Sequence, residues 1–459
     1  MEKELLHQLQ EQERYFASRA TLPYAFRKAQ LEKLKAALYQ HEEALYMALA
    51  KDLKKNKEET WVTEVGFTIA EINFALKHLK KWMQPQRVKT NLLNFPSKSF
   101  ILSEPLGVAL IIGPWNYPVQ LLLAPLVGAI AAGNCVVVKP SEYAPATASV
   151  LQTIIDESFD PRYIRMVQGD GATVIPQMMN HFRFDHVFYT GSTQVGTLIY
   201  EMAAKKLVPV TLELGGKSPC IIEKDADLKV TAKRIALTKF SNAGQMCVAP
   251  DYLLVHQSIK GAFLKELTQQ IEAFYNADNV RDYHFGKIIN ERSFNRLVQY
   301  IQKEHVIYGG RTDAATQFIE PTLLDNVPLD APVMQEEIFG PLLPVLSWEN
   351  DEDVYGIIHA NKNPLALYVF TSSDARANHW LQTIPFGGGC INNASWHLTN
   401  HHLPFGGRGN SGIGAYHGHF SFDTFSHKKG IMKTATWLDP SVKYPPFKGK
   451  LNLFKKVIK

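Results

Sequence analysis

From residue 105 to residue 138 the chain carries no Asp, Glu, Lys or Arg. A stretch this apolar either crosses a membrane or lies at the centre of a fold. Pro114, Asn116, Pro118 and Pro125 interrupt it, so it cannot form one uniform spanning helix. It reads as a strand over 108–112, a turn, a buried helix over 119–132 and a second strand over 135–138. The rhythm continues with a helix over 147–157, a strand over 186–190, a helix from Thr193, and a strand over 208–214 that ends at Gly215-Gly216, a candidate hinge. A second run places helices at 225–240, 259–274 and 376–383 and strands at 252–255 and 365–370. Such alternation predicts βαβ units and parallel sheet covered on both faces, an α/β fold.

The flanking regions differ. Residues 1–84 read as helical, with Leu31, Leu34, Leu38 and Leu45, then Val65, Ile69, Ile72 and Phe74, at helical spacing. Around Pro96-Ser97-Lys98-Ser99, the apolar residues Val88, Leu92, Leu93, Phe95, Phe100, Ile101 and Leu102 predict a β-hairpin turning at 96–99. Residues 384–415, rich in Gly, Asn and His, read as loops. With 49 Lys and Arg against 44 Asp and Glu, the net charge of +5 is spread over 459 residues, too weak a balance to favour nucleic acid. The N-terminus lacks the apolar core of a signal peptide. Four cysteines in so long a chain suit reduced thiols in a cytoplasmic protein rather than a disulfide scaffold.

Cys135 and Cys220 sit in Val- and Ile-rich runs and read as buried hydrophobes; Cys390 follows three glycines. Cys247 differs, lying in Phe-Ser-Asn-Ala-Gly-Gln-Met-Cys-Val-Ala-Pro. Amide donors and a close-approach glycine suit a thiolate nucleophile with an oxyanion pocket. Glu213 ends a strand beside glycines, a place for a general base or for an ion pair with Lys217. Asn116, polar within the apolar stretch, faces either a substrate oxyanion or a backbone turn. Lys139 and Glu142 follow a strand, where ribose hydroxyls or solvent would meet them. Gly191, Ser192 and Gly196 open a helix after a strand, a place for pyrophosphate. Glu337 lies two residues before Phe339 at a turn. His397, His401 and His402 have no ligand partner near in sequence, so no metal is expected.

Together these pieces resemble the aldehyde dehydrogenases over about residues 10–445. The resemblance rests on PWNYP at 114–118, VVVKPSE at 136–142, FYTGSTQVG at 188–196, LELGGKSP at 212–219, NAGQMCVAPDY at 242–252, EEIFGP at 336–341 and PFGGRGNSG at 404–412. APDY after Cys247, AYHGHFSFDTFSHKK at 415–429 and YPP at 444–446 are similar to the class 3 subgroup, which acts on medium- and long-chain aliphatic and aromatic aldehydes, usually as a homodimer. The resemblance implies a modified Rossmann cofactor domain in two parts (1–84 and 105–213), a bridging hairpin (85–104), a catalytic α/β domain (214–400) and a bridging and tail segment (401–459). It implies Cys247 as nucleophile, Asn116 in the oxyanion hole and Glu213 as the base that hydrolyses a thioester. Relatives that pass the acyl group to coenzyme A generally lack that glutamate. Lys139 and Glu142 would hold the adenosine ribose, Gly191, Ser192 and Gly196 the pyrophosphate, and Glu337 with Phe339 the nicotinamide end. Glu142 would repel a 2′-phosphate, which favours NAD, with NADP accepted by many class 3 members. Arg408 stands where a small apolar residue is expected. Trp115, Trp396 and the loop 393–400 are candidate walls of a substrate funnel. The lysine-rich end, 443–459, is too short to span a bilayer, leaving weak peripheral membrane contact or a cap on a second copy.

Overall fold

The computed structural model describes residues 2–276 and 281–458, so the last lysine of the tail lies outside the described residues. The apolar stretch folds as the sequence predicts. Strand Val108–Ile112 and helix Gln120–Ala132 are buried at every position, as is strand Cys135–Lys139. A helix with no polar face has nowhere to lie but the centre of a fold. Pro125 sits inside it.

Two sheets organise the chain. The first has six strands in the order Gly412–Ile413, Val210–Glu213, His186–Thr190, Val108–Ile112, Cys135–Lys139 and Ile164–Met166. All pairings are parallel except that of Gly412–Ile413. The strand order steps outward from Val108–Ile112 in both directions, so a crevice opens at its carboxyl end, where α/β proteins bind ligands. The second sheet has seven strands: Val306–Tyr308, Thr322–Asp325, Leu342–Trp348, Tyr252–His256, Pro219–Ile222, Ala366–Phe370 and Gly388–Ile391. It too is parallel apart from its first strand. Both sheets carry helices, so the mixed α/β class holds.

A third, antiparallel sheet joins Gln86–Val88, Ser97–Pro105 and Ser426–Thr434. The hairpin exists, but its turn does not lie at 96–99. Ser97–Pro105 is a nine-residue strand, and a short helical turn at Leu92–Asn94 makes the connection. Val88 pairs with Ser99, so the polar Pro-Ser-Lys-Ser run enters a strand at the surface instead of closing a turn. The loop reading of 384–415 also needs correction. Gly388–Ile391 pairs parallel with Ala366–Phe370 as an edge strand, and Gly412–Ile413 pairs with the first sheet. At Gly389 a Cβ would lie 2.1 Å from the Leu367 carbonyl oxygen. Close strand approach thus requires the glycines that suggested a loop.

The N-terminal segment up to Trp82 is helical as expected. Leu31, Leu34 and Leu38 lie on Tyr24–Gln40 and Leu45 on Glu42–Leu53, all fully buried. Trp61–Val65 forms a wider, π-type turn before helix Gly66–Trp82. Among the described residues no helix is long and apolar enough to cross a membrane.

Candidate active site

A cavity of about 230 Å³ opens between the carboxyl ends of the first sheet and the loops of the second. Thr190, Glu213 and Cys247 line its floor, with Tyr117, Met246 and Phe67 among its walls. Glu213 ends strand Val210–Glu213, so its side chain leaves the sheet into the cavity. It is 3% exposed, and among the described residues neither carboxylate oxygen has a hydrogen-bond partner. Burial alone holds its pKa well above the carboxylate range. The alternative of an ion pair with Lys217 is not what the structure shows. Lys217 bonds Asp251 and the carbonyls of Val333 and Glu336, the last two at 2.9 Å each.

Cys247 follows a stretch of unusual backbone. Asn242, Ala243 and Gly244 take φ of 50°, 53° and 72° in succession. Left-handed backbone at an alanine costs about 1–2 kcal/mol. Gly244 has no alternative, because a Cβ there would lie 2.2 Å from the Gly340 carbonyl oxygen. Side chains hold the turn closed: Asn242 Nδ2 donates to Gln245 O (3.2 Å) and Gln245 Nε2 to Asn242 O (3.0 Å). Burial pushes the Cys247 thiol well up, and the nearby Glu337 and Glu213 carboxylates push it further. Cys135 and Cys220 are fully buried within strands, as expected of hydrophobes.

Asn116 is 2% exposed and does not line the cavity. It lies one residue from the wall residue Tyr117, and its Nδ2 donates to Gln245 O at 3.0 Å. One amide hydrogen is thus tied to the cysteine loop.

Of the candidate nucleotide residues, Lys139, Glu142, Gly191, Ser192 and Gly196 lie at or after strand ends of the first sheet, and Glu337 and Phe339 precede strand Leu342–Trp348 of the second. Lys139 Nζ donates to Glu142 Oε2 at 2.6 Å, and Gly171 N donates to Glu142 Oε1 at 3.1 Å. Burial opposes it, but the Lys139 ammonium and these N–H groups hold the Glu142 carboxyl below its usual range. Ser192 caps helix Thr193–Ala204 through Val195 N (3.4 Å). Gly191 does not offer a free N–H, since it donates to Glu213 O at 3.0 Å. Gly196 lies under Leu214, where a Cβ would approach to 2.5 Å. Its glycine identity serves helix-to-strand contact. Glu337 lies against Gly215, at which a Cβ would fall 1.8 Å from the carboxylate. Burial and the Asp251 charge raise its pKa to about 8, against the Gly216 N–H, Lys217 and Arg296. Phe339, with φ of 49°, packs edge-on to Trp115 at 5.3 Å.

Trp115 therefore belongs beside Phe339 and not in the funnel wall. Trp396 does line the cavity and is 52% exposed at its mouth, with Ser395, Leu398 and Thr399 from the same loop. Val62 and Thr63, on the π-type turn, complete the mouth; no motif pointed to them. The three histidines do not converge: His397 Nδ1 lies 3.6 Å from Cys390 Sγ, and His401 pairs with Glu71 at 3.1 Å. Nothing in the structure explains the Arg408 side chain.

Fold and cavity together define an α/β protein of the nucleotide-binding type with a thiol and a carboxyl facing one apolar chamber. The chain belongs to the aldehyde dehydrogenase family, whose model matches residues 2–431, and so to a family of NAD(P)-dependent oxidoreductases. It is 44% identical over 447 residues to the 4,4′-diaponeurosporen-aldehyde dehydrogenase of Staphylococcus aureus, covering 97% of each chain. It is 42% identical to the dimeric NADP-preferring aldehyde dehydrogenase of Canis lupus familiaris, over 95% of this chain and 96% of that one. Among solved structures, a substrate-bound Staphylococcus aureus AldH superposes with a TM-score of 0.95 at 43% identity, covering 99% of both chains.

Proposed function

We propose that the protein oxidises an aldehyde to the carboxylic acid through Cys247, with Glu213 as general base and Asn116 in the oxyanion hole. The observation that carries this reading is the Glu213 carboxyl, buried and unpartnered on the same cavity as the Cys247 thiol. A buried carboxyl without a partner costs folding free energy, and such groups cluster where a reaction uses them. In this reading the Cys247 thiol gives its proton to solvent water and the sulfur bonds to the aldehyde carbon. The oxygen of the thiohemiacetal takes the resulting charge and is met by the free N–H of Asn116 and the Cys247 backbone N–H. NAD or NADP, when bound, would supply the hydride acceptor for this adduct, whose oxidised form is a thioester on Cys247. Glu213, once it has released its own proton to solvent, takes a proton from water; the water oxygen bonds to the thioester carbon, and the carbon–sulfur bond breaks to release the acid and leave the Cys247 thiolate.

The nucleotide residues suit such a cofactor. The Lys139–Glu142 pair offers an ammonium and a carboxylate to ribose hydroxyls, and the N-terminus of helix Thr193–Ala204 beside Ser192 suits pyrophosphate. Gly191 and Gly196 support that approach by letting the turn and helix pack closely on Tyr189 and Leu214. Glu337 and Phe339 suit the nicotinamide ribose and ring. The carboxylate of Glu142 favours NAD, with NADP accepted. For the substrate, the cavity exceeds the roughly 150 Å³ that holds benzene, and its mostly apolar walls suit aromatic and medium- to long-chain aliphatic aldehydes.

Edge strand Ser426–Thr434 pairs on one side only among the described residues, which supports a homodimer. All four cysteines are unpaired, which fits the reducing cytoplasm. The tail helix Leu451–Val457 exposes Leu451 and Leu453 beside Lys455 and Lys456, a surface for weak contact with anionic membranes.

The test is reduced-cofactor formation by wild type and Cys247→Ala over an aldehyde panel with NAD or NADP. Turnover that the variant loses supports the proposal. Folded wild type that binds NAD yet oxidises no aldehyde overturns it.

A further inference from the structure

Behind the cysteine and asparagine loops lies an ion pair shielded from water. Lys55 and Glu64 have side chains 0% exposed, with Nζ 2.7 Å from Glu64 Oε1. Burying two opposite charges contributes little stability and is often replaceable by apolar residues, so its retention here calls for another explanation. The hydrogen bonds supply one. Lys55 Nζ also donates to the Asn116 carbonyl at 2.9 Å and lies 3.8 Å over the Tyr117 ring. The second Glu64 oxygen accepts from Val119 N (3.0 Å) and Gln120 N (2.9 Å). The pair therefore grips the segment 116–120 at both ends, by a carbonyl at its start and by N–H groups at its close.

The grip extends to the other loop. Asn242 Nδ2 donates to the same Asn116 carbonyl at 2.9 Å, and Glu59 Oε1 accepts from Asn242 N at 2.9 Å. Glu59 and Glu64 lie either side of the start of the π-type turn Trp61–Val65. In an α-helix, positions five apart point in different directions; the wider turn resets the phase. One local irregularity thus aims two carboxylates at the two loops that carry Asn116 and Cys247.

Resting on the function proposed above, we propose that Lys55 and Glu64 are positioning residues for the reaction: they hold Asn116 where its side chain meets the oxyanion formed at Cys247. They touch no reacting atom and act through Asn116.

The test compares Lys55→Met, Lys55→Met/Glu64→Met, Asn116→Ala and the combination Lys55→Met/Asn116→Ala with wild type. The double Met variant guards against misfolding, since removing both charges leaves no orphaned one while still releasing the segment. Hydrogen exchange of peptides spanning 116–120 is read first, without any substrate. We expect faster exchange there, with the rest of the molecule unchanged. Steady-state kinetics follow. We expect kcat to fall about a hundredfold, the scale of one lost oxyanion donor, with NAD affinity and the rate of Cys247 alkylation by iodoacetamide within threefold of wild type. Because the pair acts through Asn116, Lys55→Met/Asn116→Ala should be no slower than Asn116→Ala. Unchanged exchange at 116–120 overturns the proposal, as do kinetic losses that simply multiply, or a general loss of thiol reactivity and NAD binding. Wild type without aldehyde turnover overturns the function itself, which the exchange data identify separately.

Discussion

At the scale of residues, the two groups given the chemistry hold their protons tightly. Cys247 is pushed up by burial and then by the charges of Glu337 and Glu213. Removing one of those charges, in Glu337→Gln, should accelerate Cys247 alkylation several-fold near pH 9, where Glu337 would be ionised; an unchanged rate argues that the carboxylate does not reach the thiol. Glu213→Gln should leave the first turnover intact and block the second, because a thioester forms but water is not activated. Rapid mixing would then show one equivalent of reduced cofactor per site followed by a stall. Glu337 gives a stability test. Its pKa of about 8 in the folded chain lies above the ordinary 4.5 of a glutamate, so between these values the folded state holds a proton that the unfolded chain has lost. The stabilisation is fully present below about pH 4.5 and is lost as pH rises through about 8. Melting temperature should fall over that window in wild type and fall less in Glu337→Gln, measured by calorimetry in matched buffers.

At the scale of elements, the left-handed run at Asn242–Gly244 sets the position of Cys247. Gly244→Ala would drive a methyl into the Gly340 carbonyl and should cost at least about 1–3 kcal/mol, read as a lower urea midpoint with lost turnover. Gly261→Ala, where nothing lies within 4 Å of the new carbon, should be neutral or gain up to about 1 kcal/mol. The central strands and helices were legible because continuous apolar runs have one place to go. The edges were not. Ser97–Pro105 begins with polar residues and Gly388–Ile391 with glycines, and both form strands because partners elsewhere in the chain supply the pairing. The motif residues announced the cavity floor, since Cys247 and Glu213 stand in unusual local sequence. Lys55 and Glu64 did not, because charged residues in a helical region look solvated until the fold buries them. Nor did Val62, whose place at the mouth depends on the π-type turn.

At the scale of the whole molecule, two parallel sheets present strand ends and loops to one chamber, and the antiparallel sheet stands apart from it. If Ser426–Thr434 pairs with a second copy, a lysine on that edge should disfavour the contact. Met432, half exposed on this strand, is the position to change. Met432→Lys should shift the light-scattering mass from dimer toward monomer at equal concentration, with near-UV circular dichroism unaltered. A monomeric wild type would remove the homodimer from the reading.

The floor and the mouth of the chamber come from different parts of the architecture. Glu213 ends a central strand and Cys247 sits in a turn braced from several sides, whereas Val62, Trp396 and Leu398 project from two short irregular turns at the rim. Heritable change can therefore accumulate at the rim while the chemistry below is inherited intact. A descendant of this chain would acquire a new diet of aldehydes through a few rim substitutions, without first surviving a loss of catalysis.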